Sequence, residues 1–300
     1  MTLHELQFLG KENEYAQFDS AAYAILPVPY EGAVSYGTGT AAAPQAVLEA
    51  SCYLEFYDEV LKFQPHESGI VTLAPLSPVE HHAEMHQRIY EKTRELLQHS
   101  KVPILLGGDH SISSGAFKAL YEHHGYLSCI QIDAHADLRD SYEGSPFSHA
   151  SVMSRIREFT EHTLHIGIRS MSAEEAQRVA KERIQLCTMH DYRNGLLDAD
   201  AMLETLPNPL FLTFDVDAFD WSVIASTGTP EPGGFTWDEA MDLLQTIFQK
   251  KHVVGFDIVE LSAGHRNSSF AVAKLVYKMI AFHIMSEQHK HVATGGSEHL

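Results

Sequence analysis

Leu127-Ser-Cys-Ile-Gln-Ile132 runs without a break into Asp133-Ala-His135-Ala-Asp137. The first half is a short, mostly apolar run, the pattern of a strand covered on both faces. The second half places an acid, an imidazole and an acid at every other residue. While the chain stays extended, a period of two puts all three side chains on one face. The alanines between them leave room for the backbone to turn and approach closely.

The same unit recurs along the chain. Apolar runs at 23–28, 69–73, 102–106, 127–132, 163–168, 184–188, 210–214 and 253–259 read as strands. Amphipathic stretches at 43–57, 79–99, 113–123, 150–160, 173–182, 198–206 and 236–250 read as helices, and a last helix is expected at 270–285. Strand–helix–strand alternation at this spacing predicts an α/β fold with a mostly parallel, doubly wound sheet flanked by helices. Residues 1–300 are expected to form one domain, with a flexible tail from about residue 290. No internal repeat or linker-like tract interrupts the pattern.

Doubly wound sheets carry their chemistry just beyond the carboxyl ends of their strands. Gly107-Gly108-Asp109-His110-Ser111 follows one apolar run, Asp215-Val-Asp217 another, and Glu260 a third. Each motif alone has an ordinary explanation. A lone histidine after a strand is commonly just hydrogen-bonded, and Asp-x-Asp can cap a loop or hold a single Mg²⁺. Together they bring Asp133, Asp137, Asp215 and Asp217 to one end of a sheet, with no Lys or Arg inside the motifs. Four converging carboxylates without counter-charge are strongly unfavourable. Two divalent cations would neutralise them, and His110 and His135 complete a nitrogen/oxygen donor set of six. Such a set suits Mn²⁺, with Fe, Co, Ni or Zn as replacements.

Gly107–Ser111, Asp133–Asp137 and Phe214–Asp220, in this order and spacing, resemble the metal motifs of the ureohydrolase (arginase/agmatinase) superfamily, and the resemblance covers most of the chain. The resemblance implies a three-layer α/β/α arginase-like fold and a binuclear manganese centre. It implies that His110 and Asp137 hold one ion, His135 and Asp217 the other, and that Asp133 and Asp215 bridge. Ser148-His149-Ala150-Ser-Val-Met resembles the segment with the family's catalytic histidine, and Glu260, in Asp257-Ile-Val-Glu260-Leu, the acid that holds the substrate guanidinium. Asp257 looks structural, or one step removed from the ions. The chemistry is coherent on its own terms. Hydrolysing a guanidinium needs a strong nucleophile at neutral pH, which divalent cations supply by acidifying water. Asp137 is placed to orient that water, a carboxylate can grip the planar cation, and an imidazole such as His149 can protonate the leaving amine.

Thr227-Gly-Thr-Pro230-Glu231-Pro232-Gly-Gly234 and Pro29-Tyr30-Glu-Gly-Ala-Val-Ser-Tyr-Gly-Thr-Gly39 resemble agmatinase loops, although both also read as plain Gly/Pro turns. Agmatine, hydrolysed to putrescine and urea, is the expected substrate. Guanidinobutyrate, guanidinopropionate, arginine and guanidine are alternatives, and a catalytically silent homologue is an alternative of another class. Trp221 and Ser262-Ala263-Gly264 depart from the family pattern, and Arg266 could meet a substrate carboxylate, so the loops around His149, Trp221, Pro230 and Arg266 are expected to set specificity. A two-metal phosphoesterase ranks low because no basic residues stand ready to clamp phosphate.

The bulk numbers narrow the partners. A formal charge of −19 disfavours nucleic acid and anionic membranes and favours a small cationic substrate. The longest apolar runs, such as 102–106, are too short to span a bilayer. Cys52, Cys129 and Cys187 form no Cys-x-x-Cys pair, which fits reduced thiols in a cytoplasmic protein. The resemblance implies a homotrimer or homohexamer.

Overall fold

The computed structural model describes residues 1–32, 35–196 and 198–295. Among the described residues, eight strands form one wholly parallel sheet: β1 (Tyr23–Val28), β2 (Ile70–Thr72), β3 (Val102–Gly107), β4 (Ser128–Ile132), β5 (Thr163–Ile168), β6 (Gln185–Thr188), β7 (Leu210–Asp215) and β8 (Val253–Val259). Their order across the sheet is β2-β1-β3-β8-β7-β4-β5-β6. The chain builds outward to β2, then β3, and crosses over to β4. It builds outward again to β6 and returns to fill the centre with β7 and β8. Consecutive β3 and β4 are therefore separated by β8 and β7. This is the reversal of strand order at which open α/β sheets form a crevice.

The helices are α1 (Ala43–Ser51), α2 (His82–Gln98), α3 (Ser113–His124), α4 (Val152–Arg157), α5 (Ala173–Glu182), α6 (Met189–Arg193), α7 (Ala199–Thr205), α8 (Trp237–Lys250) and α9 (Arg266–Gly295). Alternate residues of each strand feed two cores. Ile25, Ile104, Ile130, Leu212 and Phe256 meet α1, α8 and α9 on one side. Leu26, Leu105, Cys129 and Phe211 meet α2, α3 and α4 on the other. With strands buried on both faces, the continuous apolar runs are explained, and each fully buried Ile, Leu or Phe contributes about 1.5–3 kcal/mol. The architecture is the expected three-layer α/β/α sandwich.

Local signals place the helix starts. Thr236 accepts from the Glu239 amide while the Glu239 carboxylate accepts from the Thr236 amide, a reciprocal cap that starts α8. Ser172 and Glu175 do the same for α5. The predicted lengths were less accurate. α1 ends at Ser51, whose hydroxyl donates to Leu48 O and accepts from Leu9 N, rather than near residue 57. α4 begins only after a 3₁₀ turn over His149–Ser151. The five-residue α6, capped by Thr188, is too short to show a period and was not expected.

α9 starts at Arg266, before the expected 270, and continues to Gly295, so the tail expected to begin near 290 is helical as far as Gly295; 296–300 lies outside the described residues. No Gly or Pro breaks that helix before Gly295. Over Arg266–Lys290 it is long and apolar enough to cross a membrane, but 78% of its most apolar window is buried within the fold. A helix apolar on all sides is the mark of a core helix, and Tyr277, fully buried, anchors it by donating to Phe56 O at 2.6 Å.

Candidate metal centre and active-site cleft

Four neighbouring strands, β3, β8, β7 and β4, deliver the predicted residues to one end of the sheet. His110 follows β3, Glu260 follows β8, Asp215 ends β7 with Asp217 just beyond, and Asp133, His135 and Asp137 follow β4. The turn after β3 needs Gly108, because a Cβ there would strike the Tyr30 carbonyl. Asp109 caps the turn that presents His110: one carboxylate oxygen accepts from Ser111 N at 3.0 Å and the other from Gly32 N at 2.7 Å. Asp137 and Glu260 both adopt left-handed backbone conformations, with φ of +52° and +66°. Non-glycine residues held there cost energy and tend to gather at functional sites.

The six side chains converge. His110 Nδ1 lies 3.0 Å from Asp137, 3.1 Å from Asp133 and 3.4 Å from Asp215. His135 Nδ1 lies 2.8 Å from Asp217 and 3.7 Å from Asp133. Two groups result, His110–Asp133–Asp137 and Asp133–His135–Asp217, each with its donor atoms within 4.8 Å of one another. Asp133 belongs to both. Its Oδ2 faces His110 and its Oδ1 faces His135.

Electrostatics shows what this arrangement lacks. Burial, then the Asp217 and Asp137 charges, push the Asp133 carboxyl up to about 7. Burial and the charges of Asp217 and Asp133 push Asp215 well above the usual range. Burial disfavours charge on His110, yet Asp133, Asp137 and Asp215 outweigh it and hold its pKa well above the ordinary value. His135 is opposed by burial in the same way, but Asp217 foremost raises it to about 10. Without cations, protons must do the neutralising. The fit of a divalent ion rests on one atom: His110 Nδ1 is buried with no hydrogen-bond partner, although three carboxylates lie within 3.4 Å of it. A buried nitrogen that faces oxygens without bonding them is oriented as a metal ligand, and the nitrogen/oxygen donor set suits a divalent transition ion.

The cluster floors a cleft of about 250 Å³ whose lining includes Asp137, His149, Glu260 and Thr229. Glu260 accepts from His110 N at 2.7 Å, and Thr227 Oγ1 donates to Glu260 O at 2.9 Å. Burial first and Asp109 second push the Glu260 carboxyl well above its usual range, as suits an acid awaiting a cationic partner. His149 Nε2 is 2.9 Å from Ser35 Oγ, and its ring meets Tyr142 edge-on at 5.5 Å. The two loops that resembled agmatinase segments meet here: Gly37 N donates to Gly228 O at 2.9 Å.

Not every expected loop residue reaches the cleft. Trp221 is 52% exposed and off the lining. Ser262-Ala263-Gly264 braces the two loops, with Ala263 N donating to Gly39 O and Ser262 N to Ser226 O. Arg266 lines a separate hollow with Cys52 and Tyr53, because it opens α9 and is carried away from the strand ends. Arg266 therefore stands outside the cleft and is not placed to meet a substrate carboxylate there. Pro230 is off the lining too, and Thr229 takes its place. Ser35, from the 29–39 segment, lines the cleft, as do Arg139 and Tyr142, which carried no motif in the sequence.

A further set lies beneath the cluster. Gln131 Nε2 donates to Asp133 at 2.6 Å, His110 Nε2 meets Thr213 Oγ1 at 2.8 Å, and Thr213 donates to Asp257 at 2.6 Å. Gln131 and Thr213 were missed, though their signal was legible: each is a polar residue in an apolar strand, two positions before an aspartate and hence on its face.

Residues 21–281 match the arginase family. The chain is 37% identical over 296 residues to the N(1)-aminopropylagmatine ureohydrolase of Synechocystis sp., covering 95% of this chain and 96% of that protein. It is 33% identical to the agmatinase of Pyrococcus horikoshii, over 93% of this chain and 98% of that one. The crystal structure of the agmatine ureohydrolase of Thermoplasma volcanium superimposes with a TM-score of 0.86 at 27% identity, covering 95% and 97% of the two chains. The chain belongs to the arginase family, as an agmatinase-like ureohydrolase acting on linear amidine C–N bonds.

Proposed function

We propose that this chain hydrolyses the guanidino end of an agmatine-type amine, releasing urea, with two Mn²⁺ ions held by the strand-end cluster. His110 and Asp137 would hold one ion, His135 and Asp217 the other, with Asp133 and Asp215 as bridges. The observation that carries this reading is Asp133, whose two oxygens face two separate histidines. When bound, the ions supply activated water.

The chain's own groups do the rest. Glu260 receives the planar guanidinium and thereby gains the counter-charge its buried carboxyl lacks. Asp137 orients the attacking water. His149, held by Ser35 and Tyr142, delivers a proton to the departing nitrogen. Among the described residues, the cleft's carboxylates beyond the cluster, Glu260 and Glu175, outnumber its one guanidinium, Arg139, which supports a substrate without a carboxylate.

Agmatine, giving putrescine, is the first reading. N1-aminopropylagmatine is the second, favoured by the names of relatives at 37% and 36% identity. Urea release by the Mn²⁺-loaded protein from both amines, with arginine and guanidinobutyrate alongside, tests the proposal. Turnover of a guanidino amine is expected. Turnover of a guanidino acid alone would overturn the substrate class.

A further inference from the structure

One step below the cluster, a polar row crosses the hydrophobic sheet. His165 on β5, Gln131 on β4, Thr213 on β7 and Asp257 on β8 are register partners in sequence across four adjacent strands. All four are fully buried. Burying polar side chains in a sheet interior is unfavourable unless each finds a partner, so such a row needs a reason.

Its hydrogen bonds point upward to the candidate ligands. Thr213 has one hydroxyl proton, and it goes to Asp257. The Thr213 oxygen therefore presents only lone pairs to His110 Nε2, 2.8 Å away. Nε2 must carry the ring hydrogen, and the neutral ring then presents a bare lone pair at Nδ1, the atom that faces Asp133, Asp137 and Asp215. Gln131 works in the same manner. Its Nε2 donates to Asp133, which requires its Oε1 to face the other way, and there Oε1 meets His165 Nδ1. The His165 contact thus fixes the amide orientation, and the amide holds the Asp133 carboxylate between the two histidines.

We propose that Thr213 and Gln131 are positioning residues: Thr213 holds the His110 ring by Nε2, leaving Nδ1 as the nitrogen that faces an ion, and Gln131 sets the orientation of Asp133, with Asp257 and His165 holding them in turn. Groups that hydrogen-bond metal-ligating histidines and carboxylates typically change metal affinity by about 10–100-fold. The inference rests on the two-ion reading of the cluster.

Mn²⁺ binding to the metal-stripped full chain, followed by isothermal titration calorimetry, tests it for wild type, Thr213→Val, Thr213→Ser and Gln131→Met, with circular dichroism checking each fold. The expected result is two-ion binding by wild type, affinity at least about tenfold weaker in Thr213→Val and Gln131→Met, and near-wild-type affinity in Thr213→Ser, which keeps the hydroxyl. If Thr213→Val does not fold, Gln131→Met and Thr213→Ser still decide. Wild-type affinity in a folded Thr213→Val or Gln131→Met, or weakened binding in Thr213→Ser equal to that of Thr213→Val, overturns the positioning role and leaves the metal site standing. Failure of wild type to bind Mn²⁺ overturns the metal site and this inference with it.

Discussion

The backbone N–H of His110 donates to the Glu260 carboxylate at 2.7 Å. The turn after β3 therefore does two things: its side chain joins the metal cluster and its backbone aims the acid expected to grip substrate. One residue would thus register ion and guanidinium against each other.

Glu260→Gln separates those roles. Glutamine still accepts from His110 N but has no charge to pair with a guanidinium. Steady-state kinetics should show kcat/KM lower by about 10- to 100-fold, mostly through KM, with manganese content unchanged. An unaltered KM would remove Glu260 from substrate binding.

His149 lines the cleft without joining the cluster. His149→Ala should keep its metal while kcat falls by about 100-fold or more, the usual scale for losing a general acid. A wild-type rate would exclude it from proton transfer.

Arg169, just after β5, ties the metal loop to the segment around Glu231. Its guanidinium donates to Asp217 O at 2.6 Å, Glu231 O at 2.8 Å and Pro232 O at 3.1 Å. Arg169→Leu strands these carbonyls. Loss on the order of 2 kcal/mol is expected, seen as a thermal midpoint lower by roughly 5 °C. No change in midpoint would mean that water replaces the clamp at no cost.

The cluster should make metal-free protein sensitive to pH. An aspartate raised to about 7 in the fold binds a proton there more tightly than in the unfolded chain. Its contribution is fully present below the unfolded pKa, about 4, and is lost as pH rises through 7. Asp215, also raised, acts in the same direction. The thermal midpoint of stripped protein should therefore fall between pH 5 and 8 through these groups, and the gain on adding Mn²⁺ should be larger at pH 8 than at pH 5. Differential scanning calorimetry at both pH values checks this, and an equal gain would argue against a carboxylate-held ion.

Much of this was legible in the sequence because apolar strands and strand-end ligands are local patterns. Residues 23–28, 163–168 and 253–259 were bounded as observed. The six candidate ligands could be recognised because acids without counter-ions are conspicuous. Helix ends were less legible, since tertiary bonds such as Ser51 with Leu9 decide where α1 stops. The position of Arg266 depended on where α9 begins, and a residue a few places beyond Glu260 in sequence can still face another hollow. Gln131 and Thr213 escaped because a single polar residue in an apolar strand gains meaning only when register sets it beside another.

Asp133, shared by two ions, is the residue on which the proposed site turns. Counting manganese per chain by plasma mass spectrometry, after loading and desalting, tests it most directly in wild type and Asp133→Ala side by side. Two ions per wild-type chain and fewer than one in the variant are expected. One ion in wild type, or two retained in Asp133→Ala, would contradict that sharing.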